Sequence, residues 1–508
     1  MDLVQFGANG TKTALVIDDE RISYDELTAR VETLASALQA LSLGTGSRVG
    51  VLMHNSTAYV IAVLAAWKSH ITLVPLSTRY QPAELKYVIG DAALDYVLID
   101  SVRREGAPDL RGRLTHAIDD SDTAGRAPGI IELDDSGVSK VTLEARRSGE
   151  VEPFGDDELL LIYTSGTTAN PKGCVHSGTQ FIQTARATAA TMQLTPEDVV
   201  WDPLPLFHTG GLLPMLGALT TGATYVTHHY FAASTALQSM EREGVTVAYP
   251  AFSTLITDLL DADEFDGSRL PKLRWMLAIG TRGLLERVQQ ELPQTVQVSC
   301  YGCTEIGGVL VYNSVEDSPE DRATTCGEPF EGVSVSILRE DGTEAPIAES
   351  GEIVVKAPSL LRRYHGLDLA HLDDQGRFRT GDLGRILQNG QLVFEGRLKE
   401  MLKVGGENVA PSEIEVALAS HPAVTMVQVV GAPDSRLEQV AAAFVELRPG
   451  TSVDEEELVQ HCRERFASFK VPRHWRFVTT WPMSATKIQK TVLAQQIQDE
   501  LMSAETAK

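Results

Sequence analysis

The chain reads as an α/β protein, with two sheet-and-helix units and a small β-rich unit in a large N-terminal part, followed by a small α+β C-terminal domain. Three observations predict this. Short β-branched runs alternate with helix-length stretches over residues 14–100 and again over 158–299, the pattern of strands joined by crossover helices. Between residues 327 and 394 the texture changes to short strands punctuated by turn dipeptides such as Asp341-Gly342 and Asn389-Gly390, as expected of antiparallel hairpins. At 508 residues the chain also exceeds what one core usually holds, so several folding units are expected.

Taken in order, 48–53, 72–75 and 96–99 are strands of the first unit, and 23–41, 57–69 and 82–89 its helices. Residues 103–155, rich in Asp, Gly and Arg, read as a loosely structured connection. The apolar run 159–164 is a strand, and alternation continues from there. The β-rich unit carries strands at 333–338, 351–355 and 391–395. Beyond it lie a helix over 412–420, strands over 425–430 and 440–447, and a helix over 454–467. The domain boundary is expected between Gly396 and Arg397, dividing the chain into 1–396 and 397–508.

Composition excludes several function classes. The 44 basic and 69 acidic side chains leave a formal net charge of −25, which repels nucleic acid and anionic membrane surfaces. No apolar run is long enough to cross a bilayer, since 60–67 stops at Lys68. The N-terminal stretch, with Asp2, Asp18, Asp19 and Glu20, has no signal-peptide pattern. Five scattered cysteines make no disulfide framework. Cys300 and Cys303 form a lone CxxC without the second pair a zinc site needs, and read as small residues packed in a loop. A reducing, cytoplasmic setting is expected.

The strand 159–164 runs into Ser165-Gly166-Thr167-Thr168-Ala169-Asn170-Pro171-Lys172-Gly173. Glycines let backbone N–H groups approach a polyphosphate, hydroxyls donate, and Lys172 supplies charge. Pro171 and Gly173 break the Walker A pattern. Gly44-Thr45-Gly46 precedes its strand rather than following one, and so reads as a turn.

The string from Tyr163 to Gly173 closely resembles the phosphate-binding signature of the ANL superfamily of adenylate-forming enzymes, in particular its acyl-CoA synthetase branch. The likeness continues in order along nearly the whole chain. Tyr301-Gly302-Cys303-Thr304-Glu305 is similar to the family's YGxTE. There the resemblance implies an aromatic ring on adenine, Thr304 on phosphate and Glu305 holding Mg²⁺, a hard cation that seeks carboxylate oxygen. Thr380-Gly381-Asp382 resembles the TGD motif, whose aspartate takes the ribose hydroxyls. Gly396-Arg397-Leu398-Lys399-Glu400 resembles the hinge, with Lys399 at the pivot, and 403–409 resembles the loop after it, which includes Lys403. His208 matches the gate of the acyl pocket. The resemblance thus implies ATP contacts at Thr164, Ser165, Gly166, Thr167, Thr168, Lys172, Gly280, Thr281, Tyr301, Gly302, Thr304, Asp382, Arg397 and Lys403. It also implies a C-terminal domain that rotates between two half-reactions.

Three departures stand out. The family's C-terminal lysine usually follows a glycine; here Pro482-Met483-Ser484-Ala485-Thr486-Lys487-Ile488-Gln489-Lys490 lacks it. The residues after Lys487 fit the family pattern, which assigns Lys487 as the catalytic lysine and leaves Lys490 as the fallback. Thr281-Arg282 stands where the family often has Ala-Pro. Asp202, near the expected acyl pocket, reads most simply as a surface or turn carboxylate, with contact to an amine as the other reading. Gly210, Gly211, Gly307 and Gly308 either clear space for an acyl group or serve tight turns; clearing space would favour an aromatic or medium-length acid over acetate.

Chemically, a carboxylate attacking the α-phosphate is already ionised and needs no general base. Repulsion between anions is the obstacle, and placed cations relieve it. The expected team is Lys172, Thr304, Glu305 with Mg²⁺, and Lys487. Coenzyme A is the expected acceptor, with transfer to a free amine, as in amide bond synthetases, as the alternative.

Overall fold

The computed structural model describes residues 10–101, 108–119, 127–134, 137–143, 155, 157–164, 171–367, 372–405, 407–434, 436–484 and 487–506. Two large sheets dominate. The eight-stranded sheet has a parallel centre, Glu158–Thr164, Thr72–Pro75, Arg48–Leu52, Tyr96–Asp100 and Gly129–Asp134. Antiparallel strands flank it, Lys172–Ser177 and then Arg363–Tyr364 at one edge and Gly137–Leu143 at the other. The seven-stranded sheet runs Val296–Val298, Trp275–Ile279, Val247–Phe252, Val199–Trp201, Thr224–Thr227, Thr13–Ile17 and Glu20–Ser23, with only the last strand antiparallel.

One apolar core joins the two sheets, drawing Val49, Leu160 and Ile162 from the first and Leu15, Tyr225 and Trp275 from the second. Between them lies the helix Thr57–Lys68, buried at every position from Thr57 to Trp67. A helix apolar all round is stable only when enclosed on all sides. Trp67 shows how the layers are tied: its ring is buried in that core while its indole N–H donates to the Leu159 carbonyl at 2.8 Å. Truncating such a side chain costs about 3–5 kcal/mol.

The segments interleave where sequential units were expected. Thr13–Ile17 opens the chain but belongs to the sheet built mainly from residues 199–298, whereas Glu158–Thr164 and Lys172–Ser177 return to the first sheet. Strand pairing is a long-range choice that local pattern does not encode. The stretch 103–155 is also more ordered than its composition predicts. It contains the helix Leu110–Asp119 and the strands Gly129–Asp134 and Gly137–Leu143, because Ile130, Ile131 and Leu133 are buried against the sheet.

The β-rich unit is a four-stranded antiparallel sheet, Ser334–Leu338, Gly351–Lys356, Phe378–Ile386 and Leu392–Arg397. The C-terminal part pairs the long strands Val424–Asp434 and Glu438–Leu447, covered by the helices Pro411–Ala419 and Lys490–Thr506. The helix expected over 454–467 is shorter, Glu455–Arg463. Cys300 and Cys303 lie on the strand Cys300–Cys303 rather than in a loop, and all five cysteines are free thiols.

Candidate active site

The phosphate-binding string folds as a strand, a connection and an antiparallel return strand. Thr164 and Lys172 are register partners, and residues 165–171 separate them in the chain. Ser165, Gly166, Thr167 and Thr168 lie outside the described residues. The Lys172 ammonium sits 5.7 Å from the centre of the Tyr364 ring, a cation–π contact. Tyr364 arrives on the neighbouring two-residue strand, opposite Cys174. Burial pushes the Tyr364 hydroxyl's pKa up, and nearby Glu305, to which it is hydrogen-bonded, pushes it further. Tyr364 therefore joins Lys172 to Glu305, although no motif marks it.

Glu305 lies in the 3₁₀ turn Thr304–Ile306, whose exit needs Gly307 at φ +87°. Its carbonyl accepts from Leu361 N–H at 2.8 Å. His176 is buried against the Thr304 backbone of the same turn and the Ser359 backbone; burial drives its pKa down to about 4, so the ring is neutral at physiological pH. This placement suits a divalent cation, since Glu305 offers carboxylate oxygen next to Tyr364, whose ring Lys172 overlies.

At the other end of the same strand segment, Tyr301 is buried and its hydroxyl donates to Asp382 Oδ2 at 2.7 Å. Asp382 and Arg397 face each other across the antiparallel pair, and Arg397 Nε reaches Oδ1 at 3.0 Å. Burial lowers the guanidinium's pKa, but Asp382 and its other acidic neighbours outweigh that and raise it above its ordinary value. Lys172, Glu305, Tyr301, Asp382 and Arg397 are thus brought into one connected set.

Gly280 follows the strand Trp275–Ile279, and Thr281 caps the helix Arg282–Glu291 by accepting from Leu284 N–H. The departure from Ala-Pro has a structural reason: Thr is a strong cap, and Arg282 pairs with Glu286 and Glu320 outside.

At the acyl side, His208 stands before the helix Thr209–Thr221, its ring 4.6 Å from that of Phe207. Three of the four glycines, Gly211, Gly307 and Gly308, answer to backbone demands. A Cβ on Gly211 would lie 2.5 Å from the Pro205 carbonyl oxygen, and one on Gly308, at φ +108°, would strike Leu213. Gly210, in the first helical turn, is under no such demand, since a Cβ there would meet only the Leu204 side chain at 3.0 Å.

Asp202 corrects the sequence reading most sharply. It is 0 % exposed, so it is no surface carboxylate, whereas the turn reading stands, since its side chain accepts from the backbone two residues on. Leu204 N–H donates to Oδ1 at 2.9 Å, Tyr225 OH to Oδ2 at 3.0 Å, and Thr227 Oγ1 to its backbone carbonyl. Burial drives its pKa well above the carboxylate range against those two donors. A carboxyl so shifted favours its neutral form and offers no fixed charge to an ammonium.

In the C-terminal part, Lys399 sits in the turn Leu398–Glu400, and Lys403 is exposed on the strand Leu402–Val404. Lys487 lies on a two-residue strand paired with Met483–Ser484. Lys490, the fallback, is engaged by Glu400 and Glu415.

Comparison with known proteins accounts for this arrangement. The chain matches the family of AMP-binding enzymes over residues 4–365 and the AMP-binding enzyme C-terminal domain over 413–487. It is 34% identical to a 3-[(3aS,4S,7aS)-7a-methyl-1,5-dioxo-octahydro-1H-inden-4-yl]propanoyl:CoA ligase of Mycobacterium tuberculosis, across 95% of each chain. Long-chain-fatty-acid–CoA ligase FadD13 of the same organism is 31% identical over 94% of this chain and 93% of its own. ATP-bound MatB from Rhodopseudomonas palustris superposes with a TM-score of 0.84 at 26% identity, covering 97% of each chain.

Proposed function

The chain belongs to the AMP-binding enzyme family, and from that premise we propose that its acid has an apolar body, ring-bearing or of medium length. The reaction is that of an AMP-forming acid–CoA ligase: ATP and Mg²⁺ convert a carboxylic acid to an acyl-adenylate, and the acyl group passes to coenzyme A.

One observation carries the choice of acid. Phe252 and Ile279 are register partners at the carboxyl ends of adjacent parallel strands, where open α/β sheets bind ligands. Val309, the register partner of Gly302, joins them as a partly buried apolar side chain on the same core as Phe207 and Leu213. Ala251 holds φ +52° at the bulge just before Phe252, a strained backbone of the kind found at functional sites. The relative that takes a bicyclic propanoyl acid supports the same reading.

Within the site, Lys172, Thr164 and residues 165–168 take the phosphates, and Thr304 adds a hydroxyl. Glu305 holds Mg²⁺, which when bound offsets charge on the polyphosphate. Asp382 and Arg397 hold the ribose, while Tyr301, Gly280, Thr281 and Gly302 flank adenine. Lys487 reaches the reacting phosphate, His208 gates the acid, Lys403 lines the acceptor's approach, and the domains 1–396 and 397–508 turn about Lys399. Free thiols at all five cysteines support a reducing cytoplasmic location, and among the described residues no helix is long and apolar enough to cross a membrane.

A panel of acids in an ATP–pyrophosphate exchange assay tests the acid. Aryl-propanoates and C6–C10 acids should exceed acetate and malonate by at least about tenfold, one pocket methylene or ring being worth 1–3 kcal/mol. Acetate or malonate ranking first would overturn the proposal.

A further inference from the structure

Lys490 begins the 17-residue helix Lys490–Thr506, where a cation meets the positive end of the helix dipole. Two carboxylates nevertheless hold it, Glu400 Oε2 at 3.2 Å and Glu415 Oε1 at 2.8 Å. Burial disfavours its charge, and the two acids outweigh that and raise its pKa above the ordinary lysine value.

The partners come from different elements. Glu400 ends the turn that contains Lys399, while Glu415 lies on the helix Pro411–Ala419 and also accepts from Val429 N–H at 2.7 Å. The ammonium therefore ties the hinge turn to the helix Pro411–Ala419 and, through Glu415, to the edge strand Val424–Asp434. On its upstream side, Gln489 N–H donates to the Pro482 carbonyl at 2.7 Å, and Ser484 pairs with Lys487. Lys487 is thus three residues from a point fixed in three directions. A lysine placed against the dipole, and charged in a half-buried position, calls for a reason beyond stability.

We propose that Lys490 is a positioning residue: clasped by Glu400 and Glu415, it references the hairpin that presents Lys487 to the hinge. This rests on Lys487 being the adenylating lysine.

The test separates the half-reactions in the full-length enzyme, using the top acid of the panel for pyrophosphate release and its synthetic acyl-adenylate with coenzyme A for thioester formation. Lys490→Met should lower adenylation at least tenfold and leave thioester formation within twofold. Lys490→Arg should recover most of the loss, and Lys490→Met should cost nothing further in a Lys487→Ala background. If Lys490→Met itself unfolds, Lys490→Met/Glu415→Gln removes one stranded carboxylate and is read in the same way. Unchanged adenylation in Lys490→Met, with Lys487→Ala inactive, overturns the proposal and leaves the Lys487 reading intact. Adenylation surviving Lys487→Ala but lost in Lys490→Met overturns both and makes Lys490 the catalytic lysine. Equal loss of both half-reactions reduces Lys490 to a structural brace.

Discussion

Asp202 and Asp382 are both buried aspartates, 0 % and 2 % exposed, yet their surroundings treat them in opposite ways. Asp382 faces the Arg397 guanidinium across a strand pair and accepts from Tyr301. The Asp202 carboxyl meets a tyrosine hydroxyl and a backbone amide, and burial raises its pKa well above the usual range. Burial is common to both, and the partner decides the outcome. A cation alongside makes a carboxylate that can serve a polar ligand, whereas neutral donors make a carboxyl that fastens a loop. The loop in question runs from Asp202 to His208, and Asn55 holds it as well, donating to the Leu204 carbonyl and accepting from Leu206 N–H.

The comparison can be broken most directly at Asp382. Asp382→Asn should lower kcat/KM for ATP by on the order of a thousandfold, about 4 kcal/mol, because two charge-assisted hydrogen bonds to the ribose weaken together. Steady-state kinetics would show this, and a loss under tenfold would mean that the ribose is held elsewhere. Asp202→Ala should act on stability instead, by about 2–3 kcal/mol, since Tyr225 OH and Leu204 N–H lose their acceptor. Denaturant unfolding measures that, with kcat changed little in the folded fraction.

The smallest effect is the most discriminating. Asp202 has a folded-state pKa above its unfolded value, so the stability it contributes is full below the unfolded pKa and is lost as pH rises toward the folded one. Asn does not titrate. Asp202→Asn should therefore gain stability relative to the parent as pH rises from about 5 to 8, while adenylation stays within twofold. A flat difference across that window would show Asp202 to be an ordinary ionised carboxylate.

What could be read in advance follows from locality. Tyr301, Thr304, Glu305 and Asp382 were legible because each belongs to a short string whose chemistry needs neighbouring residues. Tyr364 and His176 were not, since each reaches the Thr304–Ile306 turn from a strand that is close in space and distant in sequence. Asp202, between Trp201 and Pro203, has the look of a turn; only the pairing of Val199–Trp201 between two parallel strands shows it to be interior. The alternation of strands and helices revealed an α/β fold, but which sheet received Thr13–Ile17 was settled by its parallel partner Thr224–Thr227. Lys490 was visible as a lysine, and its role became readable only with Glu400 and Glu415 around it.

The two-residue strand Arg363–Tyr364 has a further consequence, for the order in which the molecule can be made. Until residue 364 leaves the ribosome, the strand that starts at Lys172 is an open sheet edge, with unpaired N–H and C=O groups exposed to any other chain. Closing it is a contact of very high sequence separation, which slows folding and prolongs exposure. A nascent chain halted short of residue 364 should therefore bind chaperones and aggregate, whereas one reaching just beyond it has sealed the sheet.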